Sequence, residues 1–257
     1  MGKRARRLDR EQATENEASV IEEVVDEYRR QKKILKHNFQ LINVSPLTEN
    51  QELAFHAFGS NKNLLLYGVA GTGKTFLASY FALSDLFCGN AKRIVIVRSA
   101  VTTRDQGFLP GTLQEKMALY EVPYKDIFAE LCSGRRDVYD LLKKKGYLEF
   151  MSTSFIRGLT LDDAIVIVDE VQNLTDHEIN SVLTRVGKNT RVILCGDYRQ
   201  DDLRMTGKKS QESGIKILLE VASKMKSFSL VKFDIKDIVR SGFVREYLIA
   251  RINLDLD

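Results

Sequence analysis

Leu64-Leu65-Leu66-Tyr67-Gly68-Val69-Ala70-Gly71-Thr72-Gly73-Lys74-Thr75-Phe76 is the stretch on which the fold turns. An apolar run leads straight into G-x-x-x-x-G-K-T, and a helix-like segment, Phe76–Leu86, follows at once. Strand, loop and helix in that order are the context that separates a phosphate-binding loop from a chance Gly-rich turn. Glycines let the backbone curl until its N–H groups converge on phosphate oxygens, with the positive end of the next helix behind them. The expected nucleotide-binding residues are therefore Gly68, Val69, Ala70, Gly71, Thr72, Gly73, Lys74, Thr75 and Phe76. Lys74 is expected to reach the β- and γ-phosphates, and the Thr75 hydroxyl to ligate magnesium.

Outward from this loop, short Val-, Ile- and Leu-rich runs recur at Asn63–Tyr67, Arg93–Val97, Ala164–Val168, Arg191–Cys195 and Phe228–Phe233, and Gly146–Met151 adds a sixth. Their apolar residues do not alternate, the mark of strands covered on both faces. Long crossovers between them predict βαβ units and a doubly wound, mainly parallel sheet of the α/β P-loop NTPase (RecA-like) class. A basic tail and a surface helix are expected over residues 1–46. There Val20, Val24, Val25 and Tyr28 stand among alternating acidic and basic blocks, behind the cluster Lys3-Arg4-Ala5-Arg6-Arg7. Residues 47–257 form the nucleotide-binding domain in this reading, with a helical insertion around 105–146.

A phosphate loop hydrolyses little without a carboxylate at the end of another core strand. Ile165-Val166-Ile167-Val168-Asp169-Glu170 supplies two. Asp169 is expected to hold magnesium together with Thr75, and Glu170 to act as general base toward the attacking water. The next strand ends in Gly196-Asp197-Tyr198-Arg199-Gln200. Where motifs follow in this order, that strand inserts between the other two, and the Gln200 amide meets the γ-phosphate and the water.

Composition narrows the classes. The chain has 257 residues, 44% hydrophobic, enough for one substantial core with an appendage. Its 39 basic and 35 acidic residues leave a net charge of +4, which permits a polyanionic partner without requiring one. No run of about eighteen apolar residues argues for a membrane span. The start, MGKRARRLDR, leads into an acidic segment and not an apolar one, so a cytoplasmic location is expected. Cys88, Cys132 and Cys195 form no C-x-x-C pair and read as reduced packing thiols.

With three motifs in hand, the chain resembles the PhoH-like ATPases, whose core is similar to the first motor domain of superfamily-one helicases. The likeness rests on Gly107-Phe108-Leu109-Pro110-Gly111-Thr112-Leu113-Gln114-Glu115-Lys116, Arg157-Gly158-Leu159-Thr160-Leu161, Asp169-Glu170-Val171-Gln172-Asn173 and Asp237-Ile238-Val239-Arg240, and spans roughly residues 47–248. Arg98-Ser99-Ala100 stands where the family has Arg-Pro-Ala, and Val171 where it has Ala; neither change removes a chemically active side chain. The resemblance implies ATP and magnesium as cofactors, and Gln51 as the reader of the adenine edge. Adenine gains separate support because no guanine-reading N-K-x-D occurs. Helicase-type motors complete their site with an arginine from a second motor domain, and no second P-loop sheet follows here. Arg240 is thus expected as a finger supplied by a neighbour in a homo-oligomeric ring with shared ATP sites, unless it folds back within its own chain.

The resemblance also implies RNA or single-stranded nucleic acid as partner, with possible helicase activity. Arg98 and Arg104 follow a strand's carboxyl end, where open sheets bind ligands, and are the expected phosphate contacts. Arg157 is left open among nucleotide, substrate and neighbouring subunit. Two competing classes are a small-molecule phosphotransferase, disfavoured by the lack of an Arg-rich lid, and a nucleotide-switched assembly module, disfavoured by Glu170.

Overall fold

The computed structural model describes residues 39–99, 113–197 and 214–254, with side chains from residue 117 onward in the second span. Six strands form one parallel sheet: β1 (Asn63–Gly68), β2 (Arg93–Arg98), β3 (Leu148–Ser152), β4 (Ala164–Asp169), β5 (Arg191–Gly196) and β6 (Phe228–Phe233), in the order β3-β2-β4-β5-β1-β6. Every expected strand is present within a residue or two, and β5 lies between β1 and β4 as the motif order implies.

The lack of alternation in these runs has a direct structural counterpart. Successive side chains leave opposite faces of a strand, so Leu64, Leu66, Ile94, Ile96, Ile165 and Ile167 enter one core while Leu65, Val95, Val97, Val166 and Val168 enter the other. Helices α1 (Glu49–Gly59), α2 (Lys74–Cys88), α3 (Leu113–Leu131) and α4 (Val138–Lys144) contribute to the first core. On the opposite face, α5 (Asp176–Leu183) and α6 (Ile215–Lys224) cover the second. A last helix, α7 (Gly242–Asn253), buries Ile252 in a small third cluster with Val69 and Ile238. The result is a three-layer α/β/α body of P-loop NTPase class.

Two expectations need adjustment. The insertion reads from sequence as two segments, Leu113–Tyr120 and Tyr124–Cys132, whereas α3 runs unbroken through Pro123. Proline removes one helical N–H and crowds the preceding turn, but Tyr124, Phe128 and Leu131 just beyond it are fully buried, and their packing holds the helix together. Part of the 1–46 extension also belongs to the body. Phe39 is buried and stacks on Phe87 at 5.8 Å, Leu41, Ile42 and Val44 pack on the first core, and the Ile42 amide donates to the Leu131 carbonyl at 2.9 Å. The remainder of that extension, its basic cluster and its helix, lies outside the described residues, as does 100–112. Among the described residues no helix is long and apolar enough to cross a membrane.

Candidate nucleotide site

The site is built where β1 stops. Gly68 has φ +122, and a Cβ there would meet the Phe233 carbonyl oxygen of the paired strand at 2.0 Å, so only glycine lets the chain leave the sheet at this point. The loop closes on itself through the Thr72 hydroxyl, which donates to Val69 O at 3.0 Å. The Lys74 ammonium donates to the carbonyls of Gly68 (2.9 Å) and Val69 (2.7 Å). Burial lowers its pKa from the usual lysine value, opposed by the negative charge of Asp197, Glu170 and Asp169.

At the mouth of the loop, the Thr75 hydroxyl donates to Asp169 Oδ1 at 3.1 Å. A second donor to that carboxylate comes from the insertion: Tyr124 Oη donates to Asp169 Oδ2 at 2.7 Å from the interior of α3. Burial, and then the Asp169 charge, push the Tyr124 phenol well above its ordinary range, so it stays a donor. A hydroxyl and a carboxylate facing each other form the hard-oxygen pair that suits magnesium, and Thr75 and Asp169 are the residues that would hold it. The pair was legible in the sequence; Tyr124 was not, because nothing in a helical insertion marks one tyrosine as facing the sheet edge.

Glu170 follows in the left-handed region, φ +54 and ψ +46, and turns the chain out of β4 into the short 3-10 helix Val171–Asn173. A non-glycine residue held there stores strain of the kind that gathers at functional sites. Its carboxylate is gripped from two sides. Gln172 Nε2 donates to Oε2 at 2.5 Å, and Arg98 Nη2 stands 3.6 Å from Oε1. Gln172, itself buried, accepts from the Asp197 amide at 2.9 Å through Oε1, so one side chain ties the end of β4 to the end of β5. Burial and the adjacent Asp169 raise the Glu170 pKa, while Arg98 and Gln172 pull it down. Gln172 was quoted in the sequence as part of a run of matching residues, without a role.

Arg98, expected as a polynucleotide contact, also touches Glu170. It is at the carboxyl end of β2, opposite Asp169 in register, with its guanidinium on Glu170 and 5.4 Å from the Tyr120 ring centroid. Arg104 and Gln200 lie outside the described residues. Arg157 is exposed in a turn and does not line the cleft.

The cleft itself encloses about 520 Å³ and is lined by the phosphate loop, Asp169, Glu170, Asp197 and Arg240, together with Val44, Leu47 and Phe76. Gln51 lines it as well and is buried: Oε1 accepts from the Leu47 amide at 2.8 Å and Nε2 donates to the Thr72 carbonyl at 3.2 Å. Arg240 lies along the cleft of its own chain. The Val239 amide donates to the Gly71 carbonyl at 3.1 Å, and a Cβ on Gly71 would come within 3.0 Å of Arg240 Cγ.

Over 192 residues the chain is 36% identical to the PhoH-like protein of Bacillus subtilis (strain 168), covering 74% of this chain and 58% of that one. It is 32% identical over 210 residues to Protein PhoH of Escherichia coli (strain K12), covering 80% and 58%. The chain thus spans little more than half the length of these curated relatives. Among solved structures it is similar to the large terminase of a thermophilic bacteriophage, with TM-score 0.46 and 12% identity over 79% of this chain and 50% of that one. The Pif1 helicase of Candida albicans aligns with TM-score 0.40 and 17% identity over 82% and 44%. Residues 43–251 match the PhoH-like protein family, and the chain belongs to it.

Proposed function

We propose that this chain is a magnesium-dependent ATPase whose hydrolysis is coupled to binding or remodelling of RNA or single-stranded nucleic acid. The observation that carries the reading is the meeting of Thr75, Asp169 and Glu170 at the mouth of the phosphate loop, with a hydroxyl and carboxylate 3.1 Å apart and a second carboxylate beside them in the same cleft. Loop amides and Lys74 take the β- and γ-phosphates, exchanging the lysine's two carbonyl contacts for phosphate oxygens. Thr75 and Asp169 would hold magnesium, which would neutralise charge on the phosphates. Glu170 accepts the proton of the attacking water, and Gln172 keeps its carboxylate aimed. A glutamine amide carries two N–H donors and two acceptor lone pairs. Gln51 uses one of each internally, which leaves one of each for the donor-acceptor edge of adenine.

Arg240 supports completion of the site from within the same chain. Its backbone neighbour is hydrogen-bonded to the phosphate loop, and the side chain lines the cleft of its own chain. The deciding measurement is phosphate release from ATP alone, with single-stranded RNA, with single-stranded DNA and with duplexes. Magnesium-dependent release that rises with single-stranded nucleic acid is the expected result. Equal release with and without every polynucleotide would remove the coupling from the proposal.

A further inference from the structure

Glu170 lines the nucleotide cleft and Arg98 does not, although the two touch. The acid is the member that faces the nucleotide, and the arginine stands behind it, at the carboxyl end of β2 where open parallel sheets receive their ligands. The two groups that grip Glu170 differ in kind. Gln172 is 2% exposed and locked by its other end to the Asp197 amide, so it cannot leave without undoing the junction of two core strands. Arg98 keeps 24% of its side chain in solvent, its 3.6 Å approach to Glu170 is loose, and among the described residues it also rests on the face of the Tyr120 ring. A half-buried guanidinium resting on a carboxylate and an aromatic face can be drawn off by a better anion, and a phosphodiester offers the same bidentate geometry as a carboxylate.

We infer that Arg98 is the residue that couples polynucleotide to hydrolysis: it rests on Glu170 until a phosphodiester docks at the carboxyl end of β2, moves onto that phosphate, and leaves Glu170 free to accept the proton of water. The inference rests on the proposed nucleic-acid-coupled ATPase. Arg98 is a positioning residue in this scheme and touches neither the nucleotide nor the lytic water. While the guanidinium stays, it fixes the direction of one carboxylate oxygen. Once it has moved, Gln172 alone orients the base. Glu170 and the phosphodiester compete for one cation, so each must weaken the other's hold on it.

This competition can be read without ATP or metal. Labelled polyuridylate and polythymidylate are titrated by fluorescence anisotropy, over a series of low salt concentrations, into wild-type protein, Glu170→Gln, Arg98→Ala and the double variant. Removing the Glu170 charge should tighten binding about two- to fivefold, the range of a partly exposed ion pair. Arg98→Ala should weaken binding and lower the salt slope by about one. In the Arg98→Ala background, Glu170→Gln should then give no tightening. Arg98→Lys keeps the charge and should retain the gain, which preserves the test should Arg98→Ala not fold. Equal tightening in the wild-type and Arg98→Ala backgrounds would mean only a general loss of negative charge, and would overturn the inference. In turnover, Arg98→Ala should raise basal ATPase and abolish stimulation by either polymer. A variant stimulated as strongly as wild type sinks the inference while the proposed function stands. Wild-type protein that binds neither polymer sinks the proposed function itself.

Discussion

Lys74 and Glu170 are both charged, both line the cleft, and differ in when their charge acts. Lys74 neutralises phosphate in the ground state, so Lys74→Ala should lower ATP affinity about ten- to a hundredfold, measured by binding of a fluorescent nucleotide. Glu170 acts on water in the transition state. Glu170→Gln should bind ATP normally yet lose about 10²–10⁴ in turnover. Near-normal turnover in that variant would remove Glu170 as the base. Tyr124 offers a finer test. Its phenol is the buried donor to the carboxylate that would hold magnesium, and Tyr124→Phe strips that donor while keeping the ring among its neighbours. The magnesium concentration for half-maximal ATPase should rise about ten- to a hundredfold, the usual effect of losing a group that orients a metal ligand. A magnesium curve identical to wild type would make the Tyr124 bond incidental.

Elements differ in how plainly they announced themselves. β1, β2, β4 and β5 were legible because burial on both faces demands unbroken Val, Ile and Leu, and no other element of that length needs such a run. The acids at the end of β4 were legible because they follow such a run, and the phosphate loop because its glycines have few other uses. Side chains that reach the site from α3, or from the far end of β2, obey no local pattern. Tyr124 and the Arg98–Glu170 contact arise from which strands and helices become neighbours, and a single chain read in order does not state that. The same holds for Asp85, on α2, and Arg191, at the start of β5, which form an ion pair, buried on the Asp85 side, at the base of the sheet. Arg191 also donates to the Phe58 carbonyl at 3.0 Å and lies 3.7 Å from the Phe58 ring centroid, so this pair clamps α1, α2 and β5 together. Asp85→Ala should destabilise the fold by about 3–5 kcal/mol, because it leaves a cation without its partner in a low-dielectric setting. Denaturant unfolding measures this, and a loss below about 1 kcal/mol would assign the pair to the solvated surface class.

At the scale of the whole molecule, the position of Arg240 decides whether one chain is a complete machine. Lys74→Ala and Arg240→Ala proteins, each inactive, can be mixed under conditions that exchange any subunits. A shared site would be rebuilt at about a quarter of head-to-tail interfaces. An arginine acting in its own chain rebuilds none, and that is the outcome expected from its contact with Gly71. Recovery of activity near a quarter of wild type would instead assign Arg240 to the neighbouring site. The sheet order has a further consequence, for the order of events as the chain is made. β1 carries the phosphate loop and is the first of the described strands in sequence, yet both strands that flank it, β5 and β6, are the last two of them. The loop's own carbonyl bond, Gly71 to Val239, waits longer still. Pairing between distant parts of a chain is slow to form because the intervening loop must close first. On the ribosome, then, the phosphate loop emerges well before the strands that flank it, and nucleotide can help to fold this domain only once β5, β6 and Val239 have followed.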